Sequence, residues 1–231
     1  QDERADVNNT LSDKNTGEVI AYSANYLKTE WTAIDPGIKT ALEWLDARLE
    51  GQFGINSRTD DDQTWIVWND PVTAPSQTFI YDRVAETLTP FYVTRPELKG
   101  APLQPMHPIE ITARDGLTLP SYLTLPPGCD PNATGRPSAP VPMVLQVHGG
   151  PWARDSYGFS SNVQWLANRG YAVLQVNFRG STGFGKNFLN AANKQWALAM
   201  HDDLIDAVDW AVAEGITSRD KVAIAGGSYG G

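Results

Sequence analysis

The passage that most restricts the fold lies at the end of the chain, where the apolar run Lys221-Val222-Ala223-Ile224-Ala225 leads straight into Gly226-Gly227-Ser228-Tyr229-Gly230. A G-x-S-x-G pentapeptide behind a strand is the pattern of a nucleophile elbow. The serine sits on a sharp strand-to-helix turn, and the flanking glycines let the backbone pass without Cβ clashes. Taken alone the pattern is weak, because glycine and serine are common in loops and Ser228 could simply be a tight-turn residue. A second motif strengthens it. Val144-Leu145-Gln146-Val147 reads as an apolar strand running into His148-Gly149-Gly150-Pro151-Trp152, a His-Gly-Gly loop of the kind that lends backbone N–H groups to an oxyanion hole.

Between the two motifs the chain alternates as a doubly wound sheet requires. Asn162 to Arg169 reads as a helix stopped by Gly170, and Tyr171 to Val176 as the next buried strand. Asn177-Phe178-Arg179-Gly180-Ser181-Thr182-Gly183-Phe184-Gly185 forms a glycine-rich turn at the carboxyl end of that strand, the edge at which open α/β sheets bind ligands. His201 to Glu214 reads as a second helix, with Leu204, Ile205, Val208, Ala211 and Val212 on its apolar stripe. Asp202, Asp203, Asp206 and Asp209 are expected to face water or the helix N-terminus.

The ordered set HGGPW, NFRGSTGFG, HDDLIDAVDW and GGSYGG resembles the prolyl oligopeptidase family of serine peptidases, nearest its acylaminoacyl-peptidase and dipeptidyl-peptidase-like branch, over roughly Pro105 to Gly231. The resemblance implies an α/β-hydrolase domain coupled to a β-propeller, and cleavage of short peptides. It makes Ser228 the catalytic nucleophile, with the N–H groups of Gly150 and Tyr229 as the oxyanion hole.

The first hundred residues read differently. Val19 to Tyr26, Thr64 to Trp68, Gln77 to Asp82 and Pro90 to Val93 are short aromatic or β-branched runs between turns rich in Asp, Asn, Pro and Ser. They fit the last part of a β-propeller, with earlier blades expected N-terminal to Gln1, since a closed propeller needs roughly four to eight blades. Asp35 as N-cap and Pro36 in the first turn start a helix running through Ile38, Leu42, Leu45 and Leu49 to Gly51. Arg95 to Pro105 is the expected linker, and it divides the chain into residues 1–100 (propeller portion) and 101–231 (the N-terminal portion of the hydrolase domain). Ile109 to Ala113 and Leu119 to Leu125 flank Asp115-Gly116, a hairpin turn signal.

A serine hydroxyl needs a histidine to take its proton and a carboxylate to orient that histidine, and in α/β-hydrolases these partners follow the serine. His107, His148 and His201 all precede Ser228, so each is a poor candidate for the base, and the triad Asp and His are expected beyond Gly231. On that reading the 231-residue polypeptide alone should be inactive and poorly folded. His148 is expected to shape the oxyanion loop, His201 to flank a helix, and His107 to lie in the linker. Arg179 is expected to pin its loop by pairing with Asp202 or Asp203. Trp152, Trp165, Trp196 and Trp210 are expected in the core.

Composition narrows the alternatives. A formal charge of −9 provides no basic stripe for phosphates, so nucleic acid is an unlikely partner. One cysteine, Cys129, leaves neither an internal disulfide nor a cysteine metal cluster, and no metal or cofactor is expected. No apolar run reaches the roughly 18 residues of a membrane span. Low cysteine use fits cytoplasm or periplasm equally. Gln1, with no preceding Met, reads as a processed start or an internal cut. Besides a peptidase, a carboxylic ester hydrolase on the same fold and a non-catalytic propeller binding module remain open.

Overall fold

In the computed structural model, which describes residues 2–231, the chain forms three sheets. Strands β1 (Val7–Ser12), β2 (Val19–Asn25) and β3 (Thr29–Ala33) make an antiparallel sheet in chain order. Helix α1 (Pro36–Asp46) follows. Strands β4 (Gln52–Arg58), β5 (Thr64–Asp70), β6 (Gln77–Asp82) and β7 (Thr87–Val93) then form a four-stranded antiparallel meander. Asp35 caps α1 as expected, its carboxylate accepting the Gly37 N–H at 2.6 Å, with Pro36 in the first turn. The helix stops at Asp46, earlier than the sequence implied, and turns carry the chain to Gly51. Gly51 has φ +85°, and a Cβ there would lie 2.1 Å from the Asp70 carbonyl oxygen. Ile38, Leu42 and Leu45 wedge α1 between the two sheets, against Leu11, Phe53, Trp65 and Tyr81. Each such buried side chain contributes roughly 1.5–3 kcal/mol.

The third sheet collects β8 (Met106–Thr112), β9 (Thr118–Thr124), β10 (Met143–Val147), β11 (Ala172–Val176) and β12 (Val222–Gly226) in the order β12-β10-β11-β9-β8. β10, β11 and β12 run parallel, while the β8–β9 hairpin is antiparallel. Helices α2 (Ser161–Asn168), α3 (Gly185–Asn190) and α4 (Ala199–Ala213) supply the crossovers. Ser160 caps α2, and Gly170, at φ +92°, ends it where the sequence placed the stop. Leu145, Leu174 and Val176 are completely buried, as parallel strands covered on both faces must be. Among the described residues no helix is long and apolar enough to cross a membrane.

Several expectations are corrected. His107 lies inside β8, not in a linker, half-buried with Nε2 3.8 Å from Asp130. Asp203 does not face water; it is fully buried, because Arg179 meets it from another segment. Trp152, Trp165 and Trp196 are not core residues, being 62%, 59% and 54% exposed, whereas Trp210 packs against the core. Strands β1, β3 and β4 were not anticipated.

Loop 151–160 joins the five-stranded sheet to the N-terminal sheets. Arg154 donates to the carbonyls of Asn25 and Tyr26, Gln52 donates to the Tyr157 carbonyl at 2.6 Å, and the Asp70 carboxylate accepts the Phe159 N–H at 2.7 Å.

Candidate active site

Strand register brings the two motifs together. Val147, the last residue of β10, pairs with Gly226, the last of β12, so His148-Gly149 and Gly227-Ser228 leave the sheet side by side at its carboxyl edge. The chain steps from β10 to β11 on one side and then returns from β11 past β10 to β12 on the other, so this edge is a topological switch point. Contact is close: a Cβ on Gly149 would lie 3.0 Å from the Gly227 carbonyl oxygen and 3.3 Å from the Ser228 Cβ. Gly149, one residue before the expected oxyanion donor Gly150, therefore makes the nearest approach to the serine.

The elbow itself has the strained geometry its sequence implied. Ser228 has φ +56°, the left-handed region that non-glycine residues seldom adopt. The flanking glycines have a steric reason to be there. A Cβ on Gly226 would stand 2.3 Å from the Gly230 carbonyl oxygen, and one on Gly230 would stand 2.3 Å from that of Val147. Tyr229 follows the serine, its ring stacked on Phe178 at 5.3 Å and its hydroxyl pKa raised by burial and by the charge of Asp203.

At the start of the glycine loop, His148 is held on both ring nitrogens. Nδ1 meets the Gly149 carbonyl at 2.8 Å and Nε2 meets the Ser181 hydroxyl at 2.9 Å, while the ring stacks on Phe178 at 4.6 Å. Ser181 Oγ in turn donates to the Phe178 carbonyl at 2.7 Å. These bonds tie His148 to Ser181, a partner that the sequence did not single out.

The loop carrying Ser181 is fastened from α4. Arg179 forks onto Asp203, Nε to Oδ2 at 2.9 Å and Nη2 to Oδ1 at 2.7 Å, and its backbone N–H also donates to Oδ2 at 2.8 Å. Of the two carboxylates expected for Arg179 the structure selects Asp203; Asp202 pairs with Arg114 at 3.1 Å instead. Asp115 adds a third contact at 2.8 Å, and the bonds to Asp203 raise the Arg179 pKa above its ordinary value.

Asp155 was missed altogether, since its partners lie about twenty residues later, on β11 and directly after it. Its backbone N–H donates to Asn177, its Oδ1 accepts from Gln175 Nε2 at 2.8 Å, and its Oδ2 is buried with no partner. The Gln175 Oε1 is buried and unpartnered too. Burial pushes the Asp155 carboxyl above the usual carboxylate range, against the opposing pull of His148, Gln175 and Arg154.

A left-handed serine directly after a strand, with a glycine loop packed against it at the carboxyl edge of parallel strands, is the arrangement described for α/β-hydrolase nucleophile elbows. Residues 157–231 match the model of the prolyl oligopeptidase family. The whole chain is 59% identical to dipeptidyl aminopeptidase BIII of Pseudoxanthomonas mexicana, covering 34% of that protein. Across 99% of its length it is 40% identical to dipeptidyl peptidase family member 6 of Caenorhabditis elegans, covering 33% of it. The fold matches a Mycobacterium tuberculosis puromycin-hydrolyzing peptidase with a TM-score of 0.72 at 23% identity, over 94% of this chain and 32% of that one. It also matches Porphyromonas gingivalis dipeptidyl peptidase 4 with a TM-score of 0.73 at 19% identity, over 100% of this chain and 32% of that one. Residues 157–231 thus resemble the prolyl oligopeptidase family, and the chain spans about a third of the length of these relatives.

Proposed function

We propose that these residues are part of a serine peptidase that hydrolyses short peptides through an acyl-enzyme at Ser228. The observation that carries the reading is the left-handed Ser228, φ +56°, wedged between two glycines that admit no Cβ. Strain of this kind persists where it presents a reactive group. In this reading Ser228 Oγ attacks the scissile carbonyl, and the N–H groups of Tyr229 and Gly150 receive the oxyanion. The base is not among the histidines described above. His148 is engaged on both nitrogens, His107 sits in β8 beside Asp130, and His201 is exposed on the first turn of α4. An Asp and a His later than Ser228 in the parent sequence complete the triad.

The sheets β1–β3 and β4–β7 are read as blades of a propeller over residues 1–100, with 101–231 as the opening half of the hydrolase domain. The propeller would restrict large substrates, which accounts for short peptides as the substrate class. Loop 151–160 would then be where the two domains meet.

A fluorophosphonate tests the reading directly on the full-length protein. Intact mass should rise by one adduct located at Ser228, and Ser228→Ala should abolish both the adduct and peptide hydrolysis. An ester hydrolase would form the adduct while turning over esters and no peptides, and a binding module would form none.

A further inference from the structure

Arg154 is a cation set between the N-terminal sheets and the β8–β12 sheet, and the groups that accept from it are all neutral. Nη1 donates to the Asn25 carbonyl at 2.6 Å, and Nη2 to the Tyr26 carbonyl at 2.8 Å and Asn25 Oδ1 at 3.3 Å. Nε donates to the Asp155 carbonyl at 3.2 Å. The flat face of the guanidinium lies over Phe184, 4.2 Å from the ring centre. Burial lowers its pKa from the ordinary value. Packing alone does not call for a charge here, because a methionine would cover Phe184 without any desolvation cost. What the guanidinium adds is direction: its rigid fork fixes one geometry between this loop and the turn from β2 to β3. That turn is held on its far side as well. The Tyr122 hydroxyl of β9 donates to the Leu27 carbonyl at 3.0 Å, and Lys28 Nζ lies 4.4 Å from the centre of the Tyr157 ring.

Arg154 follows Gly150 by one short, taut turn. The Ala153 N–H donates to the Pro151 carbonyl at 2.8 Å, and the Ala153 carbonyl accepts the Thr182 N–H at 2.9 Å. A Cβ on Gly150 would lie 2.6 Å from the Trp152 nitrogen. The ties made by Gln52 and Asp70 reach the same loop only at Tyr157 and Phe159. Of these ties from the N-terminal sheets, the one at Arg154 is nearest the expected oxyanion donor.

We infer that Arg154 is a positioning residue: by gripping the Asn25 and Tyr26 carbonyls it holds the Gly150 loop in the geometry that receives the oxyanion, so that reaction at Ser228 depends on docking of the β2–β3 turn. The inference rests on the peptidase reading of Ser228 and gives Arg154 no contact with substrate.

The experiment uses the full-length enzyme as wild type, Arg154→Met and Gln52→Leu. Each is labelled with a fluorophosphonate and followed by intact mass, so that the end point counts competent sites and the time course gives the rate per site. Hydrolysis of a short peptide, scaled to competent sites, gives kcat and KM. Losing an oxyanion donor outright costs about 10²–10³ in kcat, and a displaced donor costs less. Arg154→Met should therefore lower the labelling rate and kcat by about tenfold while KM stays within about twofold, the split expected when only the transition state loses a contact. Gln52→Leu cuts a neighbouring tie without touching the guanidinium and should label at the wild-type rate. If Arg154→Met yields too few competent sites to follow, Arg154→Lys carries the comparison: it keeps the charge, loses the fork, and should label about threefold slower or worse. Wild-type labelling in the Arg154 variant overturns the inference. So does equal slowing in Gln52→Leu, since general loosening between the sheets would then account for both. A wild-type protein that forms no adduct at Ser228 removes the peptidase reading and the inference together; a normal wild-type adduct with unslowed variants removes the role of Arg154 alone.

Discussion

Replacing Arg179 by Met should be the most damaging single change among the charged residues near the site, and the reason is the state in which it leaves Asp203. Asp203 is fully buried and takes three hydrogen bonds from Arg179: two from the guanidinium, at 2.7 and 2.9 Å, and one from the backbone at 2.8 Å. Arg179→Met removes the two charge-assisted bonds and strands a carboxylate inside the protein with one backbone donor. Breaking a buried pair in this way costs about 3–5 kcal/mol. The Asp115 contact on the same guanidinium is different, because that carboxylate is 49% exposed and the pair is worth only about 0–1 kcal/mol. The double variant Arg179→Met/Asp203→Leu should recover most of the loss, since an apolar pair of similar volume carries no desolvation cost.

Urea denaturation of the four proteins, read by linear extrapolation, provides the comparison. The functional consequence should track it, because Arg179 fastens the loop whose Ser181 holds His148 at the start of the glycine loop beside Ser228. Fluorophosphonate labelling of Ser228 should slow in Arg179→Met and be close to normal in Asp115→Ala. Equal and small destabilisation, below about 1 kcal/mol, in Arg179→Met and Asp115→Ala would refute the reasoning, since it would mean that the buried pair is worth no more than an exposed one.

Three further outcomes follow from the site. Asp155 has its carboxyl pKa raised by burial, so the folded state holds a proton that the unfolded chain gives up. Wild-type stability should therefore fall by up to about 1.4 kcal/mol per pH unit from the ordinary carboxylate pKa upward until the folded pKa is passed. Asp155→Asn, which mimics the protonated acid opposite Gln175, should lose this slope; parallel wild-type and variant curves of stability against pH would contradict it. Ser228→Gly should relieve the φ +56° strain and raise stability by about 1 kcal/mol while abolishing labelling, and an unchanged or lowered urea midpoint would argue against stored strain. Ser181→Ala should cost about 1–3 kcal/mol by leaving His148 Nε2 unpaired and should slow labelling; normal rates would free the oxyanion loop from any dependence on this bond.

What the sequence disclosed and what it hid divide by position in a sheet. The central strands β10 and β11 are uninterrupted apolar runs, and β12, although at an edge, is announced by the glycine pattern that follows it. The unanticipated strands β1, β3 and β4 are all outer strands of their sheets, where one side meets solvent and the apolar alternation that betrays a strand is not required. β8 is another outer strand, where Pro108 is tolerated; the sequence reading started this strand only at Ile109, which left His107 on the linker side. Asp203 fails for a related reason. A helical stripe drawn from one segment sends every carboxylate outward, whereas burial of this one depends on an arginine 24 residues earlier in the chain. The candidate nucleophile and the glycine loop were legible because backbone geometry demands glycine there, and β10–β12 register alone makes them neighbours. The side chains Ser181 and Asp155 were not, because their roles exist only once separate strands and helices have met, whereas the pairing of Arg179 with Asp202 or Asp203 was expected and only the choice of Asp203 was not.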